Sequence, residues 1–152
     1  MTRRVGGFTM IELVVVIVIA TVLAAFAASR INTQSFQTEG YANQVAAMMR
    51  YAQKIAISQR RVVAVVIASG NVSLCYTDAA CSGGAVREPP GTSAFSHAAP
   101  SNVSLSGLAS FTFSALGKPS ASGTLTIQDT DSPPTVKTIT VEAESGYVRY
   151  AP

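Results

Sequence analysis

Phe8 to Ala28 reads FTMIELVVVIVIATVLAAFAA, an apolar run without Pro or Gly and with a single charge, Glu12. About twenty such residues at 1.5 Å of rise cover the roughly 30 Å hydrocarbon core of a bilayer, so the stretch predicts a membrane-spanning helix. Arg3 and Arg4 precede it, and retention of positive charge on the cytoplasmic side places everything after Arg30 on the far side. A secretory signal peptide has a shorter apolar region closed by small residues, a pattern that Ala24 to Ala28 imitate. The run is too long for that, and it carries a carboxylate near its start. An ionisable group at the centre of a span costs about 2.5–3.5 kcal/mol, and less near an end. Glu12 therefore either snorkels to the interface or awaits a cationic partner.

The segment Gly6-Gly7-Phe8-Thr9-Met10-Ile11-Glu12-Leu13 resembles the type IV prepilin signature: a basic leader ending in Gly, then Phe, three residues and Glu. That resemblance implies a prepilin peptidase that cuts between Gly7 and Phe8 and methylates the new amine of Phe8. Residues 1–7 are then a leader and 8–29 a transmembrane and filament-core helix. Gly7 suits the cleavage, since a side chain there would obstruct the protease cleft. Glu12 suits assembly: the cationic amine of one subunit's Phe8 neutralises the Glu12 of its neighbour, so a buried charge is satisfied only in correct register.

With 152 residues, the chain has room for one globular domain beyond the anchor, expected over 30–152. The formal charge is +3, and removing Arg3 and Arg4 leaves nine basic against eight acidic side chains, or +1. A balance so near neutral does not imply a nucleic-acid partner, whose phosphates are met by clustered Lys and Arg. Cys75 and Cys81 are the only cysteines. With no second pair and no nearby His they fall short of a metal site. A disulfide is expected, because the topology puts them in an oxidising compartment; two free thiols in a loop is the alternative.

No Pro occurs before Pro89, so nothing forbids helix from Ser29 onward, with Gly40 the expected weak point. Tyr41, Val45, Met48, Ala52, Ile55 and Gln59 recur at spacings of three and four and predict an amphipathic helix ending near Arg60. Val62 to Ala68 and Val72 to Tyr76 flank Ser69-Gly70-Asn71 and predict a hairpin. Ser82 to Asn102 is rich in Gly, Pro, Ala and Ser and reads as a long irregular loop carrying His97, solvated or locally hydrogen-bonded. Short strands follow at 103–105, 110–114, 124–128, 135–142 and 147–150, with turns at Leu116 to Pro119, Asp129 to Pro134 and Glu144 to Gly146. The acids Asp129 with Asp131, and Glu142 with Glu144, read as solvated. A calcium ion would want six to eight oxygens, more than the first pair supplies.

The segments Met49 to Ala56, Arg60-Arg61-Val62, Phe113 to Gly117 and Gly146-Tyr147-Val148-Arg149 resemble the GspH/FimT branch of minor pilins and pseudopilins. Among its subgroups they look most like the minor pilin of mannose-sensitive haemagglutinin (MSHA) pili. The resemblance implies an α+β, pilin-like fold, with a long N-terminal helix packed on antiparallel sheets. It implies a low-copy structural subunit of a type IV pilus or type II secretion pseudopilus that helps initiate or cap assembly. The implied partners are the prepilin peptidase, other major and minor pilins or pseudopilins, the inner-membrane assembly platform and inner-membrane lipid. The implied location is the bacterial inner membrane, single-pass, with the C-terminal domain in the periplasm. No cofactor and no catalysis are expected, because the lone His lacks an orienting partner for a nucleophile. FimT-like relatives use a basic Gly-Arg-x-Arg element to capture DNA. Here Tyr147 replaces the first Arg, which leaves Arg149 and Tyr147 as a diminished phosphate and stacking surface. Adhesion through 82–102 is a further alternative.

Overall fold

A computed structural model describes residues 8–28, 33–68 and 70–151. The chain forms two compact units, Met1–Thr33 and Gln34–Pro152. The expected boundary at 29/30 and the expected continuity of helix across 29–32 fall outside the described residues.

Helix α1, Met10–Ala28, forms from Ile and Val as well as Leu and Ala, although β-branched residues lower helix propensity. Its N-terminus is closed by a capping box. Thr9 Oγ1 accepts the Glu12 N–H at 3.3 Å, and Glu12 Oε2 accepts the Thr9 N–H at 3.5 Å, which satisfies two donors that would otherwise lack partners. Every described side chain from Phe8 to Ala27 is exposed. An apolar helix without a polar face needs lipid or other helices around it.

Helix α2, Thr33–Gln59, buries Tyr41, Val45, Met48, Ala52 and Ile55 at the expected spacing, and Ala42, Ala46, Met49 and Ala56 widen the stripe. Gln59, placed on that stripe by its spacing, is exposed, because the helix ends there. Gly40 does not interrupt α2. It faces open space, and the roughly 1 kcal/mol by which Gly disfavours helix is offset by packing on the adjoining turns. The C-terminus closes in a Schellman pattern: Arg61 N–H donates to Ala56 O at 3.1 Å and Arg60 N–H to Ile57 O at 3.3 Å. Arg60 takes the left-handed position, φ 49°, where Gly is usual.

Strands β1 (Val63–Ala68) and β2 (Asn71–Tyr76) form the expected hairpin. β3 (Ser96–Ala98) adds to β2. β4 (Val103–Gly107) and β5 (Phe111–Phe113) follow, then β6 (Gly123–Asp129), β7 (Val136–Val141) and β8 (Val148–Ala151). All pairings are antiparallel, in the orders β3-β2-β1-β5 and β4-β6-β7-β8. One long hairpin joins the two sheets. Beyond the β4–β6 pairing, Leu108 N–H donates to Thr124 O at 3.1 Å and Ser120 N–H to Thr112 O at 2.8 Å, and Phe113 bridges to Pro119 in the same register. The other edge of β5 pairs with β1. The α2 stripe and inward residues of both sheets, Val65, Leu74, Phe113, Leu125, Ile127 and Ile139 among them, make one core.

The stretch 82–102 is more ordered than its composition predicts. Its first half folds back as a hairpin-like arm, with bridges Cys75 to Ala85 and Arg87 to Ala94. Val86 N–H donates to Leu74 O, and Leu74 N–H to Phe95 O. Val86 is fully buried and Phe95 packs against Tyr51 of α2, ring centroids 5.3 Å apart. Two apolar anchors nine residues apart thus outweigh the disordering tendency of the Gly and Pro between them.

Candidate functional site

The first candidate site is the start of α1. Met10–Ala27 is long and apolar enough to cross a membrane by length and composition. Eleven Ile, Leu, Val and Phe side chains in α1 favour insertion by about 0.3–0.6 kcal/mol each, or about 3–7 kcal/mol in all. That exceeds the cost of one carboxylate near a helix end, so Glu12 does not prevent insertion. Phe8, 78% exposed, lies just before the cap, and Gly7 lies outside the described residues. Thr9 was not singled out by motif reading, although the Thr-x-x-Glu spacing of a capping box was present in the sequence.

In the globular unit, Cys75 and Cys81 are joined as a disulfide, with Cα atoms 4.9 Å apart. The bond closes the small loop that begins where β2 ends. Asp78 stiffens that loop: its Oδ2 accepts the Ser82 hydroxyl at 2.6 Å and its Oδ1 accepts the Ser82 N–H at 3.0 Å. Those bonds, the hydroxyl first, hold the Asp78 carboxyl below its ordinary range. His97 is half-buried, with Nε2 3.7 Å from Glu88 Oε1 and its ring edge-on to Phe95. Its backbone oxygen accepts the Tyr41 hydroxyl at 3.3 Å, and burial pushes that hydroxyl's pKa up to about 12.

Asp129 corrects the reading of a solvated acid pair. It is 2% exposed because β6 alternates inward at Leu125, Ile127 and Asp129. Its Oδ1 accepts N–H bonds from Thr135 at 2.8 Å and Asp131 at 3.2 Å, and its Oδ2 accepts the Thr38 hydroxyl at 3.3 Å. Burial alone would raise its pKa. The bonds from Thr135, Asp131 and Thr38 outweigh burial and leave it lowered. Asp129 thus closes the β6–β7 turn and ties it to α2.

The second candidate site gathers the motifs around 113–117 and 146–149. Gln53, half-buried on α2, donates from Nε2 to Gly117 O at 3.1 Å and to Ser145 O at 2.8 Å. One helical amide thereby holds the β5–β6 turn beside the β7–β8 turn. Gly146, φ +66°, packs so closely that a Cβ there would overlap Gly117 O and come within 2.7 Å of Gln53 Nε2. Only Gly fits. Lys118 Nζ and Glu144 Oε2 pair across the turns at 2.8 Å. Tyr147 and Arg149 are both exposed, Arg149 opposite Thr140 on the outer face of the second sheet. Glu142, Glu144 and Asp131 are not buried, in keeping with their expected surface placement.

The family model for the type II transport protein GspH matches residues 41–145, which is most of the chain and nearly all of the globular unit. The chain belongs to the GspH family. The model of the prokaryotic N-terminal methylation motif matches residues 2–28, so this GspH-family chain joins that motif to the GspH domain. No curated protein sequence matches it significantly. Among solved structures, the minor pseudopilin EpsH from the type 2 secretion system of Vibrio cholerae is similar at TM-score 0.60 and 14% identity. The match covers 76% of this chain and 96% of that one. The type IV minor pilin FimU of Pseudomonas aeruginosa is similar at TM-score 0.55 and 18% identity, covering 79% and 92%. At these identities the likeness establishes a shared α+β, pilin-like fold.

Proposed function

We propose that this GspH-family chain is a low-copy structural subunit, a minor pilin or pseudopilin, that helps start or cap a type IV pilus or a type II secretion pseudopilus. A prepilin peptidase removes residues 1–7 between Gly7 and Phe8 and methylates the amine of Phe8. α1 then anchors the subunit in the inner membrane, with the domain in the periplasm, until the assembly platform passes it to neighbouring pilins. In the filament, Glu12 meets the Phe8 amine of an adjoining subunit.

The observation that carries this reading is a helix exposed and apolar on every side, with a single first-turn carboxylate, joined to a GspH domain whose own core is closed. The helix presents apolar side chains all round and the domain buries its own core, which is the division expected of an assembling subunit. The test is Glu12→Val in the native host. We expect leader removal and membrane insertion to persist, with incorporation into sheared filaments reduced at least tenfold; wild-type incorporation would exclude the charge pairing. Mass spectrometry of the native chain reads the leader independently: an intact Met1–Gly7 segment would overturn the assignment.

DNA capture through Arg149 and Tyr147 is the alternative. Its support is their exposure, and it is opposed by Glu142 in the adjoining turn, which repels phosphate, Glu144 being paired with Lys118.

A further inference from the structure

The loop that runs from Cys75 to Gly84 is held by its backbone as well as by sulfur. Tyr76 N–H donates to Gly84 O at 2.9 Å, Thr77 N–H to Val62 O at 3.0 Å, and Gly84 N–H to Cys81 O at 2.9 Å, beside the two bonds from Ser82 to Asp78. A Cβ on Gly83 would overlap Thr77 Oγ1 and stand 2.9 Å from Tyr76 O, so the loop closes on itself as tightly as a residue without a side chain allows. Within this frame the two cysteines differ. Cys75 is 1% exposed, opposite Ala64 of β1 and bridged on its other side to Ala85. Cys81 is partly exposed, and Ala79, Ala80, Ser82, Gly83 and Gly84 around it are exposed, so the chain on either side of it carries no bulky side chain.

We infer that Cys81 is the sulfur through which the domain exchanges disulfides with an external oxidant, and that Cys75 is the resolving sulfur beneath it. The oxidant is itself a disulfide, protein-borne or small, met in the oxidising compartment to which the proposed export delivers the domain; the inference rests on that reading. In the dithiol chain, the Cys81 thiolate attacks one sulfur of the oxidant, forms a mixed disulfide and expels the oxidant's other sulfur as a thiolate. The Cys75 thiolate then attacks Cys81 Sγ, the internal bond forms and the oxidant leaves fully reduced, with the two electrons, while the two cysteine protons pass to solvent or to the departing thiolates. The frame decides which cysteine does which. An attacking thiol must reach its target, and access is what Cys75 lacks. Its Cα lies 4.9 Å from that of Cys81, so the second step joins groups already held together and outpaces a competing external thiol. The same order protects the finished bond: a thiol that opens it at Cys81 frees Cys75 beside the new mixed disulfide, and Cys75 displaces the intruder. The pair is therefore a catch that closes readily and reopens only when the loop unfolds.

The test applies glutathione disulfide to the full chain in detergent, using Cys75→Ala and Cys81→Ala variants whose urea unfolding is first compared with that of the reduced wild-type chain. Cys81 of the first variant is expected to gain glutathione faster than Cys75 of the second by about tenfold or more, read by intact mass, and urea is expected to erase the difference. Equal rates in the folded chain, or a faster Cys75, would overturn the inference. Should either variant unfold, brief alkylation of the reduced wild-type chain with iodoacetamide and peptide mapping ask the same question: label at Cys81 first supports the order, and label at Cys75 first or at both equally overturns it. In the native host, Cys75→Ala is expected to accumulate a thiol-sensitive adduct, whose mass tells a protein oxidant from a small one, and Cys81→Ala is not; the opposite pattern overturns the order. Wild-type chain recovered from the host with both thiols free, the order holding in detergent, would instead overturn the export reading beneath it.

Discussion

Helix α1 and helix α2 are both long, and they differ in what surrounds them. α1 exposes all of its described side chains through Ala27, whereas α2 turns one stripe into a core and leaves Gln44 and Lys54 to solvent. The same contrast separates two carboxylates. Glu12 is exposed and tied only to its own helix cap, while Asp129 is buried beneath bonds from three residues on two elements. Glu12 is therefore available to another molecule, and Asp129 is committed within its own domain.

The largest test of that contrast is truncation on both sides of it. Phe113→Ala removes a fully buried ring from the core and is expected to lower domain stability by about 3–5 kcal/mol, read by urea unfolding. Val16→Ala in α1 should leave that unfolding curve unchanged, and a comparable loss from both would show that the helix and the domain fold as one.

Acid sharpens the comparison of the carboxylates. Asp129 has a lowered pKa in the folded domain, so its stabilising contribution is complete above the ordinary aspartate value, about 3.9. The contribution is lost as pH falls through the lower, folded value. The domain should show an acid-unfolding limb below about pH 4 that Asp129→Asn flattens, at the cost of a lower urea midpoint at neutral pH. An unchanged limb would mean that other carboxylates dominate it.

The smallest effect concerns the end of α2. Arg60→Gly relieves a left-handed Arg at the helix stop and is expected to stabilise the domain by about 0.5–1 kcal/mol. The cation–π contact of Arg61 over Tyr76, 4.2 Å from the ring centroid, should persist. A destabilised variant would show that the Arg60 side chain contributes more than its backbone costs.

Much of the fold was legible because its signals are local. The apolar run, the α2 stripe, the β1–β2 hairpin and the strands from 103 to 151 follow from periodicity and turn residues, and each is found within a few residues of its expected bounds. The arm at 85–98 was not legible. Its order comes from Val86 and Phe95 meeting a strand and a helix far away in the chain, and composition cannot report such contacts.

The residues of the candidate sites divide along the same line. Gly7, Phe8, Glu12 and the spacing of Cys75 and Cys81 lie within short windows, where neighbours in the chain set the chemistry, so the order of the letters was enough to single them out. Asp129 and Gln53 look like ordinary surface residues in any window. Their roles exist only because the folded chain brings Thr38 within 3.3 Å of a residue 91 positions away, and Ser145 within 2.8 Å of one 92 positions away. Burial and hydrogen-bond partnership at that range are properties of packing, and packing is decided by the whole chain at once.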